Sequence, residues 1–174
     1  QGLLDGMHII TILFQSARLK KQATDVLPID VMTEKLATWD KQWSERDIST
    51  FLYGLRSLNC VSREETEFLK MGATKISLSK ASLSSRGIGN ALYGFQDVTS
   101  DIDGVAELME ALTDKVRDYN GDLSGQDIGI GMYGLQGLSA DSPQIREFVS
   151  VFAEKVEASE VDLDAQAMSN ALYG

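Results

Sequence analysis

Apolar and polar residues alternate along the chain at the spacing of amphipathic helices, and the same arrangement returns every 40 residues. One helix of each repeat, called helix B, is predicted to follow a Ser or Asp N-cap that is flanked by apolar residues. One apolar residue precedes the cap and another lies four residues after it, which is the pattern of a hydrophobic staple. The caps are Ser44, Ser84, Ser124 and Asp164, and the staple pairs are Trp43 with Ile48, Leu83 with Ile88, Leu123 with Ile128, and Leu163 with Met168.

The apolar stripe of helix B continues from each cap with the 3.6-residue period of a helix that buries one face. In the first complete repeat this stripe consists of Ile48, Phe51, Leu52, Leu55 and Leu58. We therefore expect helix B to span roughly 14 residues, or about 21 Å.

A second helix, called helix A, is predicted before each helix B from the same periodicity. Its stripes are Phe68, Leu69 and Ile76 in the second repeat, Val105, Leu108, Met109, Leu112 and Val116 in the third, and Ile145, Phe148, Val149, Phe152 and Val156 in the fourth. Ser142 and Pro143 form a helix start signal, with proline at the first helical position. In the first repeat Pro28 moves the expected start of helix A to residues 27–29.

A repeated hairpin of this kind predicts an all-α fold, an α-solenoid in which each repeat buries its apolar face against its neighbours. The array is predicted to occupy residues 1–174 as one domain. Complete repeats span 21–58, 59–98 and 99–138, and partial repeats span 1–20 and 139–174. Asp5 is the predicted cap of the first partial repeat, in which Phe14 takes an aromatic position. We expect the chain to be an excerpt of a longer protein, because the last motif stops at Gly174.

Two positions near the end of helix B keep their residue type in every repeat. They are tyrosine at Tyr53, Tyr93, Tyr133 and Tyr173, and glycine at Gly54, Gly94, Gly134 and Gly174. A glycine inside a helix costs roughly 1 kcal/mol against alanine, so we expect these glycines to let neighbouring B helices approach closely, with a ligand groove as the alternative. The tyrosines are expected either to form buried structural rungs with bonded hydroxyl groups or to present rings on which bases stack.

Charge is distributed unevenly along the chain, which has a net charge of −10. Residues 1–94 contain 12 Lys and Arg against 10 Asp and Glu, whereas residues 95–174 contain 4 against 16. Most acids of the second half fall on helix A and the turns, where we expect a solvated outer surface. Such a surface is a poor site for nucleic acid, which needs clustered Lys and Arg.

Polar residues of helix B differ between repeats at matched positions. Modular binders that read one ligand unit per repeat show this variation, and neutral substitution at an exposed surface produces it as well. The candidate contacts with a partner or ligand are Arg46, Arg56, Arg86, Asn90, Gln96, Gln126, Gln136 and Asn170.

Catalytic and metal-binding chemistry has no recognisable pattern in the sequence. His8 has no positioned acid partner, and one histidine with one cysteine cannot build a Cys/His metal site. Cys60 is expected in the turn after helix B, and Ser84 and Ser85 belong to a helix cap. We therefore expect a protein that is not an enzyme and has no cofactor. A lone cysteine also favours a reducing intracellular compartment.

The segments Ile88–Gln96 and Met168–Gly174 resemble the second helix of the octotricopeptide-like helical-hairpin repeats found in organellar proteins of algae and protists. The resemblance implies a chloroplast or mitochondrial location and binding of single-stranded RNA during its maturation, stabilisation or translation. Two hypotheses follow. The first is a protein-interaction scaffold or accessory subunit of a larger organellar assembly, favoured by the acidic second half. The second is a single-stranded RNA-binding array, favoured by the resemblance and the basic second repeat.

No apolar run is long enough for a membrane span.

Overall fold

The computed structural model describes residues 4–59 and 62–174, and all regular structure within these ranges is helical. The predicted turn position of Cys60 lies outside the described residues. The helices are α1 Gly6–Arg18, α2 Ile29–Ala37, α3 Glu45–Gly54, α4 Arg63–Leu78, α5 Ser85–Tyr93, α6 Val105–Arg117, α7 Gly125–Gly134, α8 Pro143–Ala158 and α9 Ala165–Tyr173.

The helices contact one another in two series, because each packs on the equivalent helix of the next repeat. The B helices α1, α3, α5, α7 and α9 contact in that order, and the A helices α2, α4, α6 and α8 form the second series. Apolar side chains from both series join one continuous core. Phe51 of α3, for example, is fully buried with its ring centroid 5.6 Å from that of Phe68 in α4.

The predicted caps are confirmed at the start of every B helix. Ser44, Ser84 and Ser124 each accept a hydrogen bond from the backbone N–H three residues later, and Asp164 does the same for α9. Asp5 caps α1 and also bonds the His8 ring at 2.8 Å, which lowers the pKa of the Asp5 carboxyl. The expectation that His8 has no positioned acid partner is therefore wrong. Each cap pairs N–H groups that a helix start otherwise leaves without a partner.

Two sequence-based expectations about the helices are wrong in detail. The B helices after α1 have 9 or 10 residues rather than 14. After Gly54 the chain tightens into a 3₁₀ turn at Leu55–Ser57, which satisfies end carbonyl groups while Leu55 and Leu58 stay buried. In α8, Val149 is 44% exposed and Val151 is buried instead, because no described helix packs over that side of α8.

Neighbouring B helices approach closely at the repeated glycines, as expected. A Cβ at Gly94 would lie 2.9 Å from the backbone nitrogen of Tyr53 and overlap the carbonyl oxygen of Leu52. A Cβ at Gly134 would lie 2.8 Å from the Cα of Tyr93 and overlap the Leu92 carbonyl. Both glycines have no room for a side chain because the backbone of the preceding B helix fills that space.

A lysine near the end of helix A joins consecutive repeats through the backbone. Lys75 donates to the Trp39 carbonyl at 2.5 Å, Lys155 donates to the Tyr119 carbonyl at 2.6 Å, and Lys115 donates to the Ser79 carbonyl. Each accepting residue lies at or beside the C-terminal end of the preceding A helix, where unpaired carbonyl groups attract a cation. These three bonds hold successive A helices in a fixed register.

We predict that Lys115→Met lowers the free energy of unfolding by about 1.5–3 kcal/mol, the range for a hydrogen bond to a charged group. Ser79 is buried, so its carbonyl would lose its lysine partner in a place with little water. Lys35→Met is the matched control, since Lys35 occupies the same repeat position but its ammonium group pairs with the exposed side chain of Glu34, at 3.4 Å. The control should change stability by less than about 0.5 kcal/mol. Urea unfolding followed by circular dichroism measures both, and equal midpoints would contradict the role assigned to Lys115.

Candidate ligand-binding face

One side of each B helix points away from the core, and we call these sides together the B face. In α3 the core positions Ile48, Phe51 and Leu52 are fully buried. Arg46 on the opposite side of this helix is exposed, and Thr50 and Tyr53 there are half-buried. The B face comprises Arg46, Thr50 and Tyr53 of α3, Arg86, Asn90 and Tyr93 of α5, Gln126, Ile130 and Tyr133 of α7, and Gln166, Asn170 and Tyr173 of α9.

A row of aromatic rings runs across the B face from repeat to repeat. The ring centroids of Phe14 and Tyr53 are 5.2 Å apart, and the next three steps, through Tyr93 and Tyr133 to Tyr173, measure 5.8, 6.1 and 5.4 Å. Phe14, Tyr53, Tyr93 and Tyr133 are half-buried, and Tyr173 is exposed. The expectation of buried rungs is therefore met only in part: each ring contacts the next repeat, with 26° to 51° between the ring planes, but the rings are not buried.

Arg56 is held within this aromatic row rather than extended into solvent. Its guanidinium carbon lies 4.5 Å from the Tyr93 ring centroid and 5.5 Å from that of Tyr53. It also donates to the Tyr53 hydroxyl at 3.4 Å, within its own repeat, and lies 3.6 Å from an Asp97 oxygen. With only 14% of its side chain exposed, Arg56 contributes mainly to the contact between repeats.

The matched amides at the position of Arg56 also serve contacts between repeats. Gln136 donates to the backbone carbonyl of Gln96 at 3.1 Å, and both side chains are half-buried. Of the eight candidate contacts, Arg56, Gln96 and Gln136 therefore lie at one edge of the aromatic row. Arg46, Arg86, Asn90, Gln126 and Asn170 lie on the open B face.

The first three B helices bring arginines and aromatic rings together. Arg18 and Arg86 line a cavity of about 200 Å³ with Phe14, Ser49, Thr50, Tyr53 and Asn90. Arg46 lines a neighbouring cavity of about 450 Å³ between α1 and α3, together with Phe14 and Asp47. Within the described residues, the ion pairs formed by Lys and Arg involve Lys35, Arg56, Lys70 and Arg117, and not Arg18, Arg46 or Arg86.

The corresponding space between α7 and α9 has different chemistry. A cavity of about 190 Å³ there is lined by Gln126, Ile130 and Asn170 together with Asp164 and Gln166. Amide groups and one cap carboxylate thus replace the arginines of the first three B helices. The B face is cationic near α1–α5 and uncharged along the exposed positions of α7 and α9.

Acidic residues of the second half lie mostly on the A helices, as expected from the sequence. Glu107, Glu110 and Asp114 form an exposed stripe on α6, and Glu147, Glu154 and Glu157 are exposed on α8. Ion pairs cross between A helices, with Arg117 placed 2.6 Å from Glu147 and Lys70 placed 3.9 Å from Glu107. The acids of the B helices fall in their first turns, where Asp47 and Asp127 bond the cap serines.

The residues that sequence reasoning overlooked are Arg18, Ser49 and the repeated lysines. Arg18 lies four residues after Phe14, with its guanidinium carbon 5.7 Å from that ring. The lysines at 35, 75, 115 and 155 recur every 40 residues, so their period was a readable signal.

In the part of the chain that the structure describes, no group of His, Cys, Asp and Glu is arranged to hold a metal ion. No helix described is long and apolar enough to cross a membrane.

The comparisons found no matching protein family, no similar curated protein and no similar solved structure. The resemblance to octotricopeptide-like repeats therefore stays a prediction based on the residues quoted above.

Proposed function

We propose that the chain is a non-catalytic α-solenoid segment whose B face binds single-stranded RNA. The observation that carries this proposal is that arginines and a row of half-exposed aromatic rings lie together on α1, α3 and α5. Among the described residues, Arg18, Arg46 and Arg86 form no ion pair with a carboxylate. Single-strand binders combine these two features, because cations attract the phosphate backbone and rings stack with bases of any sequence. The resemblance to organellar RNA-binding repeats supports the same ligand.

The separation of charge between the two helix series supports this proposal despite the net charge of −10. Interactions between exposed charges are largely screened beyond about 8 Å at physiological ionic strength. The exposed acids of α6 and α8 lie on the A helices. The carboxylates that line cavities of the B face are those of Asp47 and Asp164, at the starts of α3 and α9, whereas the cavity with Arg18 and Arg86 is lined by no acid.

We predict that the chain binds a mixed-sequence single-stranded RNA with an affinity that weakens as salt rises. Two or three phosphate contacts give a slope of log K against log salt of about −1.4 to −2.1, so affinity should fall about 7- to 20-fold between 50 and 200 mM salt. Fluorescence anisotropy of a labelled ten-nucleotide RNA measures this. Absence of binding at 50 mM salt would overturn the RNA proposal.

A protein-interaction scaffold or accessory subunit is the second candidate function. It is favoured by the exposed acidic stripe Glu107, Glu110 and Asp114 on α6, which suits a basic protein surface. A partner held this way should dissociate when Glu107, Glu110 and Asp114 are changed to glutamine or asparagine. Co-elution with the purified partner measures this, and unchanged co-elution would reject this surface.

By the resemblance, either function belongs in a chloroplast or mitochondrion, and imaging a tagged full-length protein tests the location.

A further inference from the structure

Arg18 and Arg86 converge on one cavity from two different B helices. Arg18 is the last residue of α1 and Arg86 is the second residue of α5, while α3 lies between them. Ser49 and Thr50 line the cavity from α3, and the Ser49 hydroxyl donates to the Arg46 carbonyl at 3.3 Å. The two guanidinium groups only donate hydrogen bonds, which suits the oxygens of an anion.

The position of Arg86 is unfavourable for its own helix. Arg86 lies in the first turn of α5, where the helix dipole favours anions and disfavours cations. The ion pairs of the described residues give Arg86 no carboxylate that offsets this cost. A cation in such a place, exposed and unpaired at the wall of a cavity, indicates a role in binding rather than in folding.

The size of the cavity suits one phosphate group with a few waters. Its volume of about 200 Å³ leaves room for a phosphate group and water molecules. Tyr53 and Phe14 line the same cavity, and their rings are 5.2 Å apart. A nucleotide whose phosphate sits between the arginines would therefore have aromatic surface within reach of its base.

We propose that this cavity is a phosphate-binding site in which Arg18 and Arg86 hold one phosphate group of the ligand. This inference rests on the proposed function, in which the group is a backbone phosphate of single-stranded RNA. The equivalent space between α7 and α9 has Gln126, Gln166 and the carboxylate of Asp164, and it lacks the cations that a phosphate needs. The array thus has a charged anchor near α1–α5, which fixes the register of the strand, and amide contacts follow at α7 and α9.

The test compares two double variants that remove the same charge. Arg18→Gln with Arg86→Gln changes the cavity, whereas Arg63→Gln with Arg146→Gln changes two exposed arginines on the A helices α4 and α8. Equal far-UV circular dichroism and melting of the two variants establishes that both fold. Pyrophosphate is titrated into the ¹⁵N-labelled wild-type protein, and the arginine Nε signals are followed by NMR. The ten-nucleotide RNA is titrated into all three proteins.

We expect pyrophosphate to shift the Nε signals of Arg18 and Arg86 and to leave those of Arg63 and Arg146 in place. RNA affinity at 50 mM salt should fall about tenfold in the cavity variant and less than about twofold in the control. The salt slope of the cavity variant should become shallower by about 0.7, the value for one lost phosphate contact.

Two outcomes separate this inference from the proposed function. If the wild-type protein binds RNA but both double variants bind it equally well, the phosphate site is overturned and RNA binding stands. If pyrophosphate shifts Arg18 and Arg86 while the wild-type protein binds no RNA, the phosphate site is supported and the RNA-binding function is overturned.

Discussion

Replacing Gly94 by alanine is expected to lower the free energy of unfolding by about 3 kcal/mol or more. The added methyl group would overlap the Leu52 carbonyl and lie 2.9 Å from the Tyr53 nitrogen. Both are backbone atoms of α3, so relief requires the two B helices to separate. Overpacking of a core typically costs about 1–3 kcal/mol. We expect the cost of this clash to reach or exceed the upper value, because backbone atoms cannot rotate away as side chains do. The gain of about 1 kcal/mol in helix propensity does not offset it.

Gly87→Ala provides the control for this prediction in the same helix. A Cβ there would lie 2.5 Å from a carboxylate oxygen of Glu45, at the end of a side chain that can move. This movement would weaken the bond that the oxygen accepts from the Ser84 N–H at 2.8 Å, and that loss offsets the gain of about 1 kcal/mol in helix propensity. Gly87→Ala should therefore change stability far less than Gly94→Ala. Urea unfolding of both variants decides the matter. Two variants of equal stability would show that the B helices can separate without cost.

A functional consequence accompanies the loss of stability in Gly94→Ala. The proposed phosphate-binding cavity is lined by Tyr53 of α3 and by Arg86 and Asn90 of α5. Its shape therefore depends on the distance between these two helices. Separation of α3 and α5 should weaken RNA binding at temperatures where the variant is still folded. The repeated glycine therefore connects the close packing of the B helices with the geometry of their outer face.

The fold could be predicted from the sequence because its determinants recur at a fixed spacing. Ser84 and Ser124 are readable as caps since an apolar residue stands before each and another four residues after each. The positions of the A and B stripes follow from the 3.6-residue period, which Phe68 and Leu108 obey as fully buried residues. The solenoid geometry of the whole array is not tested by these local patterns and stays part of the proposal.

The close approach at the repeated glycines could be predicted, but the polar contacts of Lys115 and Arg56 between repeats could not. A lysine such as Lys115 at a helix end has the sequence pattern of a solvated charge, and nothing in the sequence marks the Ser79 carbonyl as its acceptor. Arg56 is a candidate contact from the sequence because it matches Gln96 and Gln136 in the repeat. The structure places its guanidinium group between two tyrosine rings, 5.5 Å and 4.5 Å from their centroids.

Arg18 could not be identified as a candidate contact for a different reason, because the first repeat is irregular. The spacing from Asp5 to Ser44 is 39 residues instead of 40, so matched positions drift at the end of α1. Arg18 then has no counterpart in the comparison of repeats, although it lies at the same cavity as Arg86. Comparing repeats finds shared residues well, but it overlooks a site that one repeat contributes alone.

Truncating Phe51 to alanine is expected to cost about 3–5 kcal/mol, the range for a buried phenylalanine. Its fully buried ring lies 5.1 Å from Trp43 and 5.6 Å from Phe68 between centroids. The ring also occupies the space above Gly72 of α4, where a Cβ would overlap the Phe51 ring carbons. The ring of Phe51 and the missing side chain of Gly72 are therefore complementary in shape.

A double-mutant cycle tests this complementarity more sharply than truncation. Gly72→Ala alone should destabilise the protein by about 1–3 kcal/mol, because the methyl group meets the rigid ring. Combined with Phe51→Leu, the same methyl group fills part of the vacated space and adds the helix propensity of alanine. The two changes should then be coupled by about 1 kcal/mol or more in the favourable direction, within the range for residues in contact. Additive effects of the two substitutions on urea unfolding would mean that Phe51 and Gly72 do not determine how α3 packs on α4.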